Sequence, residues 1–205
     1  MIPAEIRKRL LEKLPEALVN QSRFIELSRQ EYLFQPKDPV DAIYYVISGQ
    51  LRALRYQYDG KAAVMMHSTA GNFFAPVSIN MDCYPCAAIA NKKTQLLKIP
   101  KTALVDFLKT HLEFSLQFIG AISMDLKKQC SIAERLRIKS ARDRIIHFIT
   151  CEAPDSKTLE LKCPLTTWAE ELGIEPESLY RTLSDMEKDG LIYRDKKRIE
   201  ICFQR

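Results

Sequence analysis

The chain predicts an α+β fold, and three observations along its 205 residues carry that expectation. Short apolar or alternating runs separated by turn residues fill positions 24–100. After Pro100 the apolar spacing changes to three and four, and holds over about 112–137. Two short helical patterns then flank Gly173, and a hairpin pattern follows them. A period of two marks a half-buried strand and a period near 3.6 an amphipathic helix. The order is therefore a β sandwich or roll, a long helix, and a winged helix-turn-helix.

Over 4–19, Ile6, Leu10, Leu11, Leu14 and Leu18 share one helical face, with Arg7, Lys8, Arg9 and Glu12 elsewhere. One short amphipathic helix is expected there. The strand-like runs are 32–34, 42–47, 51–58, 62–67, 87–90 and 94–99. Between them lie Pro36-Lys37-Asp38-Pro39, Ser48-Gly49, Asp59-Gly60, Ala70-Gly71 and Asn91-Lys92. Asp59-Gly60 predicts a hairpin, because both residues tolerate the positive φ of its tight turn. Several short strands at this spacing make a sandwich or roll.

A short helix over 102–109 precedes the long one. On the long helix Leu112, Leu116, Ile119, Ser123, Leu126, Cys130, Ala133 and Arg137 alternate spacings of four and three, as a coiled-coil seam does. Phe114, Phe118 and Ile122 make a second stripe. One stripe can pack on the β domain and the other on a second copy of the helix; both could also serve a monomer core. The dimer contact is expected at Leu112, Leu116, Ile119, Leu126, Cys130 and Ala133.

Ser140 is the expected N-cap of a further helix with Asp143 in its first turn and Ile145, Ile146, Phe148 and Ile149 on its apolar face. The domain boundary falls near 138–140, giving 1–110 as the β domain, 111–138 as the long helix and 139–205 as the C-terminal domain.

The stretch from Thr167 to Leu183 is the most informative. A helix over about 166–172 ends at Gly173, where a glycine permits positive φ. Pro176 suits the first turn of the next helix, which turns Leu179, Leu183 and Met186 inward. Ala169 is small where the two helices must approach. Gly190 to Arg194, then Asp195-Lys196-Lys197-Arg198, then Ile199 to Ile201 read as a β-hairpin wing. In such a motif the second helix presents polar groups to the DNA major groove. Arg181 can grip guanine O6 and N7, and Glu177 and Glu175 can accept from a cytosine amino group. Ser178, Tyr180, Lys196, Lys197 and Arg198 suit phosphates.

Composition bounds the alternatives. The formal net charge is +5, but residues 1–138 carry 19 basic and 13 acidic side chains and residues 139–205 carry 12 and 13. Bulk charge therefore does not identify a nucleic-acid partner, and the local motif must. No apolar run approaches the roughly 18–20 residues of a membrane span. Met1 to Glu5 leads into Arg7-Lys8-Arg9 without an apolar signal region, so a cytoplasmic location is expected. Six cysteines stand at 83, 86, 130, 151, 163 and 202, and reduced thiols are expected in that compartment. A single C-x-x-C, Cys83 to Cys86, is short of a zinc site, and no metal is expected.

The chain resembles the Crp/Fnr superfamily of bacterial transcription regulators across nearly its whole length. Tyr44-Tyr45-Val46-Ile47-Ser48-Gly49, Gly71-Asn72-Phe73-Phe74, Ser140 to Arg144 and Leu172 to Arg181 carry the resemblance. It implies a β-roll of the cyclic-nucleotide-binding type, a dimerisation helix, a winged helix-turn-helix and no enzymatic activity. It also implies three partners: a double-stranded DNA operator with inverted half-sites, a second copy of the chain, and RNA polymerase. The family's base-reading Glu and Arg fall on Glu177 and Arg181. A second base-reading arginine of the cyclic-AMP-responsive branch falls on Pro176, so the Fnr/Dnr-like branches are the nearer likeness.

In nucleotide-binding members a Glu and an Arg-Ser pair in a short cassette hold the ribose and cyclic phosphate. Here those positions carry Pro76, Cys86 and Ala87, so cyclic AMP is not the expected effector. Tyr84-Pro85 resembles the corresponding loop of haem-binding Dnr-type regulators, with His67, His111 and His147 as candidate axial ligands. The haem-ligating positions of the CO-sensing branch carry Ala75 and Val77, and the Fnr cysteine cluster is absent. Cys83 and Cys86 could instead form a redox switch. The effector is thus redox, haem or gas, or none. The alternative outside this family is a thiol-disulfide oxidoreductase using Cys83 and Cys86. That chemistry wants the pair directly after a strand and opening a helix, whereas strand and turn follow Cys86 here.

Overall fold

The computed structural model describes residues 2–56, 58, 60, 62–153, 155, 157–161 and 163–202. Two compact units, Met1–Ile122 and Ser123–Arg205, part within the long helix.

The first unit opens with two helices, not one over 4–19: α1 (Ala4–Leu11) and α2 (Glu16–Asn20). Pro15 is the cause. It stands at the N-cap of α2, lacks an amide donor and disfavours helical geometry at the residue before it. Leu10, Leu14 and Leu18 stay buried across the break.

Eight strands follow: β1 (Arg23–Leu27), β2 (Tyr32–Phe34), β3 (Ala42–Ser48), β4 (Gln50–Tyr56), β5 (Ala62–Thr69), β6 (Phe73–Phe74), β7 (Ala87–Ala90) and β8 (Thr94–Pro100). They form two four-stranded antiparallel sheets, β1-β8-β3-β6 and β2-β7-β4-β5. β4 and β5 pair from Gln50↔Thr69 to Tyr56↔Ala62. Asp59, of the turn expected between them, lies outside the described residues. β3 explains its own apolar run, because both its faces are covered. Ala42, Tyr44 and Val46 point into the core between the sheets, with Phe34, Leu51, Phe74 and Tyr84. Ile43, Tyr45 and Ile47 point to the other side, onto Leu18, Leu104 and Phe107.

Helix α3 (Lys101–Thr110) leads into α4 (Leu112–Arg137). Phe114 and Phe118 of α4 are buried in the second of these cores, with Ile122 packed against it. Burying a phenylalanine ring stabilises by about 1.5–3 kcal/mol, so this stripe holds the first half of α4 on the sheet.

The second unit contains the rest of α4, α5 (Ala141–Glu152), β9 (Thr158–Glu160), α6 (Leu165–Leu172), α7 (Pro176–Lys188), β10 (Ile192–Asp195) and β11 (Arg198–Ile201). Ser140 caps α5 as expected, its hydroxyl accepting from the Asp143 amide at 3.3 Å. β10, β11 and β9 form a three-stranded antiparallel sheet. The core of this unit gathers Ile145 and Ile149 of α5, Trp168 and Leu172 of α6, Leu179, Leu183 and Met186 of α7, and Ile199 and Ile201 of β11.

Candidate nucleic-acid interface

The turn between α6 and α7 is built for close approach. Gly173 caps α6 at φ 63° and ψ 41°, in the left-handed region. Its amide bonds back to Glu170 O at 3.1 Å and the Ile174 amide to Ala169 O at 3.0 Å. A Cβ on Gly173 would meet Leu136 Cδ2 at 3.0 Å and Arg144 Nη1 at 3.3 Å, so space as well as φ demands glycine. Glu175 is the N-cap of α7 and Pro176 occupies its first turn, where no amide donor is needed. Ala169 is fully buried, as its position against α7 requires.

Three residues fix which way α7 faces. Leu179, Leu183 and Met186 are all fully buried. At about 100° per residue, Glu177 and Arg181 lie roughly 160° and 200° round from Leu179, opposite the buried stripe. Both are exposed. Arg181 Nη2 donates to Ser178 Oγ at 3.4 Å, which leaves the rest of the guanidinium fork open. Ser178 is half-buried, its carbonyl taking the Thr182 hydroxyl at 2.7 Å. Tyr180 stands about a quarter turn from Arg181 and is 48% exposed. Glu175 is exposed at the helix start, and Glu177 lies in the first turn, where the helix dipole favours a carboxylate.

The wing has a two-residue tip, Lys196 and Lys197, with Lys196 at φ 52°. Both lysines and Arg198 are exposed. Arg198 is paired with Glu200 at 3.1 Å. Arg181, Lys196 and Lys197 have no ion pair among the described residues, so their charge is free for a polyanion.

Sequence reasoning did not assign the residues that hold these parts in place. Arg144 is the main one. Its Nε donates to Ile138 O at 2.6 Å, and its Nη1 to Gly173 O at 2.6 Å and Leu172 O at 3.3 Å. One side chain thus satisfies carbonyls at the end of α6 and before α5. Arg194 of the wing reaches Glu187 of α7 at 2.8 Å, and Arg142 reaches Asp189 at 2.6 Å. Nothing in the spacing of these arginines sets them apart from solvated ones.

On α4, Leu112, Leu116, Ile119 and Leu126 are 74%, 59%, 57% and 62% exposed. Cys130 and Ala133 are exposed as well. The two stripes read from the sequence therefore differ: one is covered by the sheet, and the other meets solvent in the single chain.

The β-roll interior is occupied by the chain's own aromatic rings. Tyr84 is 2% exposed and lies flat on Phe34, with centroids 3.7 Å apart. Its hydroxyl donates to Ala42 O at 2.6 Å and takes a hydrogen bond from Tyr44. Burial pushes the Tyr44 hydroxyl well above the usual range, reinforced by its bond to Tyr84. Backbone bonds pin the loop as well: Lys37 N to Tyr84 O at 3.0 Å and Tyr84 N to Asp38 O at 2.9 Å. Pro76, at the cassette's Glu position, starts a short 3-10 turn, and Ala87 is fully buried in β7. No cation stands at either cassette position.

Cys83 and Cys86 are free thiols in the loop between that turn and β7. Cys86 leads into a strand, and burial pushes its thiol up, with Arg55 opposing. A raised thiol is a poorer nucleophile at neutral pH. The three candidate histidines lie on separate elements. His67 is on β5; His111, after α3, stacks on Phe107 with its Nδ1 3.1 Å from Phe107 O; His147 is on α5, 3.3 Å from Glu134. No group of three or more metal-ligating side chains occurs among the described residues, and no helix there is long and apolar enough to cross a membrane.

Comparison with known proteins agrees with this geometry. Residues 24–111 match the family described as "Cyclic nucleotide-binding domain", and residues 143–202 the "Crp-like helix-turn-helix domain". The chain is 24% identical over 184 residues to the global nitrogen regulator of Synechocystis sp., covering 84% of this chain and 81% of that one. The structure of a CooA mutant from Carboxydothermus hydrogenoformans superposes with a TM-score of 0.70 at 21% identity, covering 94% of this chain and 89% of that one. DNR from Pseudomonas aeruginosa gives 0.54 at 24% identity, covering 100% and 97%.

Proposed function

The chain belongs to the Crp/Fnr superfamily of transcription regulators with a helix-turn-helix DNA-binding domain, and from that premise we propose that it acts as a homodimer on an inverted-repeat operator without a cyclic-nucleotide effector. The exposed face of α7 carries the proposal. Glu177 and Arg181 stand opposite the buried Leu179, Leu183 and Met186 and read base edges, with Glu175 beside them at the helix start. Ser178, Tyr180, Lys196, Lys197 and Arg198 hold phosphates. The unit that reads DNA carries no net positive charge over 139–205, so its affinity depends on these few placed cations and not on a broad basic field.

Two copies meet along Leu112, Leu116, Ile119, Leu126, Cys130 and Ala133. The support is the exposure of that stripe in the single chain, since an apolar row of this length on a solvated helix asks for a cover. Two-fold pairing places two α7 helices on successive turns of one DNA face, with half-sites about 10–10.5 bp apart. RNA polymerase is the partner through which a bound dimer acts on transcription.

The roll serves as scaffold. Pro76, Cys86 and Ala87 offer a cyclic phosphate no cation, and Tyr84 fills the interior against Phe34. The relatives are regulators, and the C-x-x-C loop opens into a strand, so we assign no oxidoreductase activity.

Ile119→Asp tests the assembly and spares the core, because Ile119 is exposed in the single chain. The expected result is a folded monomer by sedimentation, with operator affinity lost. A dimer that survives this change would remove the seam from the account. Cyclic AMP added to the wild-type protein is expected to leave operator affinity unchanged.

A further inference from the structure

One cluster in the second unit takes no part in the interface. It lies where α4 and α5 pack, and a thiol is at its centre. Cys151 is exposed, and its Sγ stands 3.7 and 3.8 Å from Nε2 and Nδ1 of His147, one helical turn earlier. His147 Nε2 is 3.3 Å from Glu134 Oε2 on α4. The imidazole is largely buried, with 20% of its side chain exposed.

The residue after Glu134 supplies a second, independent observation. Arg135 is only 1% exposed, with its guanidinium carbon 4.4 Å from the centre of the Phe148 ring. Its Nη1 donates to Glu171 O at 3.4 Å, and its Nη2 is 3.7 Å from Glu152 Oε1. Yet among the described residues Nε and Nη2 have no hydrogen-bond partner. A buried guanidinium with two nitrogens that make no hydrogen bond is costly, even with a carboxylate 3.7 Å from one of them, and it favours any acceptor or negative charge placed beside it. Burial pulls the Arg135 pKa down, and the charges of Glu152, Cys151 and Glu171 oppose that. Cys151 lies on α5 between Phe148 and Glu152, two side chains that approach this cation.

We propose that Cys151 is a reactive thiol, a site of two-electron oxidation by hydroperoxides, prepared by His147, Glu134 and the buried Arg135. His147 takes the thiol proton, and Glu134 steadies the imidazolium that results. The thiolate sulfur attacks the distal oxygen of hydrogen peroxide. An S–O bond forms, the O–O bond breaks, and the leaving hydroxide takes the proton held by His147 to become water. Sulfur is oxidised by two electrons to the sulfenic acid, and peroxide is reduced to water. Cys151 and Cys86 thus differ in kind: Cys86 is packed against the roll core with its thiol raised by burial, whereas Cys151 is open to solvent with a base alongside.

The test treats the full-length protein with substoichiometric hydrogen peroxide and a 1,3-dione that captures sulfenic acid, and reads occupancy at each cysteine by mass spectrometry. Cys83 and Cys202 are exposed thiols in the same molecule and serve as internal references. Cys151 is expected to be captured about tenfold or more faster than they are. His147→Gln should bring it down to their rate. Glu134→Gln, at a side chain 64% exposed, should slow it part of the way without touching the core. Capture of Cys151 at the rate of the other exposed thiols would overturn the proposal. So would a rate that neither substitution changes in protein whose melting temperature is preserved.

Discussion

Replacing Arg181 by alanine separates DNA reading from folding. Among the described residues its side chain bonds only to Ser178 Oγ, at 3.4 Å, and the residue is exposed. The fold therefore changes by no more than about 0.5 kcal/mol, the usual range for a surface substitution. The DNA effect is larger. A bidentate arginine–guanine contact discriminates by about 1–3 kcal/mol, or roughly 5–150-fold, at one base pair. A dimer loses the contact in both half-sites, so the symmetric operator should weaken by about twice that energy, provided the half-sites act independently. Geometry also sets where. Four residues separate Glu177 from Arg181, about 6 Å along the helix, or about two base-pair steps. The lost preference should fall on one position of each half-site, with the Glu177 position about one or two base pairs away left intact. Fluorescence anisotropy with a labelled operator and its single-base-pair variants measures this. If Arg181→Ala keeps the wild-type preference at every position, or weakens all positions equally, α7 is not read through Arg181 and the assignment fails.

Lys197→Ala should weaken binding about equally on all sequences and lower the slope of log K against log salt by about 1 per half-site; a change confined to one base pair would contradict a phosphate role. Gly173→Ala should cost about 1–2 kcal/mol, because a non-glycine residue is strained at φ 63° and its Cβ would meet Leu136 and Arg144; an unchanged melting temperature would contradict the packing of the turn. Asp155 accepts from the amides of Thr158 and Lys157 at 2.6 and 2.9 Å, and these bonds hold its carboxyl at about 2, below the ordinary 3.8. Its stabilisation is therefore present above about pH 4 and lost as pH falls through about 2. Asp155→Ala should melt below the wild type at neutral pH, with the gap closing through that acid window; a gap independent of pH would show that the carboxylate's charge contributes nothing.

Much of the fold is legible because single residues leave period or turn signals. The 42–47 run reads as a strand, and its lack of alternation reflects two cores, one on each face of β3. Gly173 and Pro176 bound the helix-turn-helix because each permits a backbone state that few residues do. The break between α1 and α2 is visible in Pro15 but was outweighed by a leucine spacing that continues across it. β1 and β9 leave weaker traces: each is short, and each is held by pairing to a distant strand, β1 to β8 and β9 to β11. The exposed face of α7, proposed above to meet DNA, is legible from the opposite, buried stripe. Arg144 and Arg135 are not, since a buried or bracing arginine has the same spacing as a solvated one. Their roles come from carbonyls and rings that other segments bring to them.

The most direct test of the central claim is selection of bound duplexes from a random DNA pool by the purified chain, with the stoichiometry of the recovered complex measured by sedimentation. Two chains on an inverted repeat with half-sites about 10–10.5 bp apart is the predicted result. An unenriched pool, or one chain bound to an asymmetric site, would contradict it.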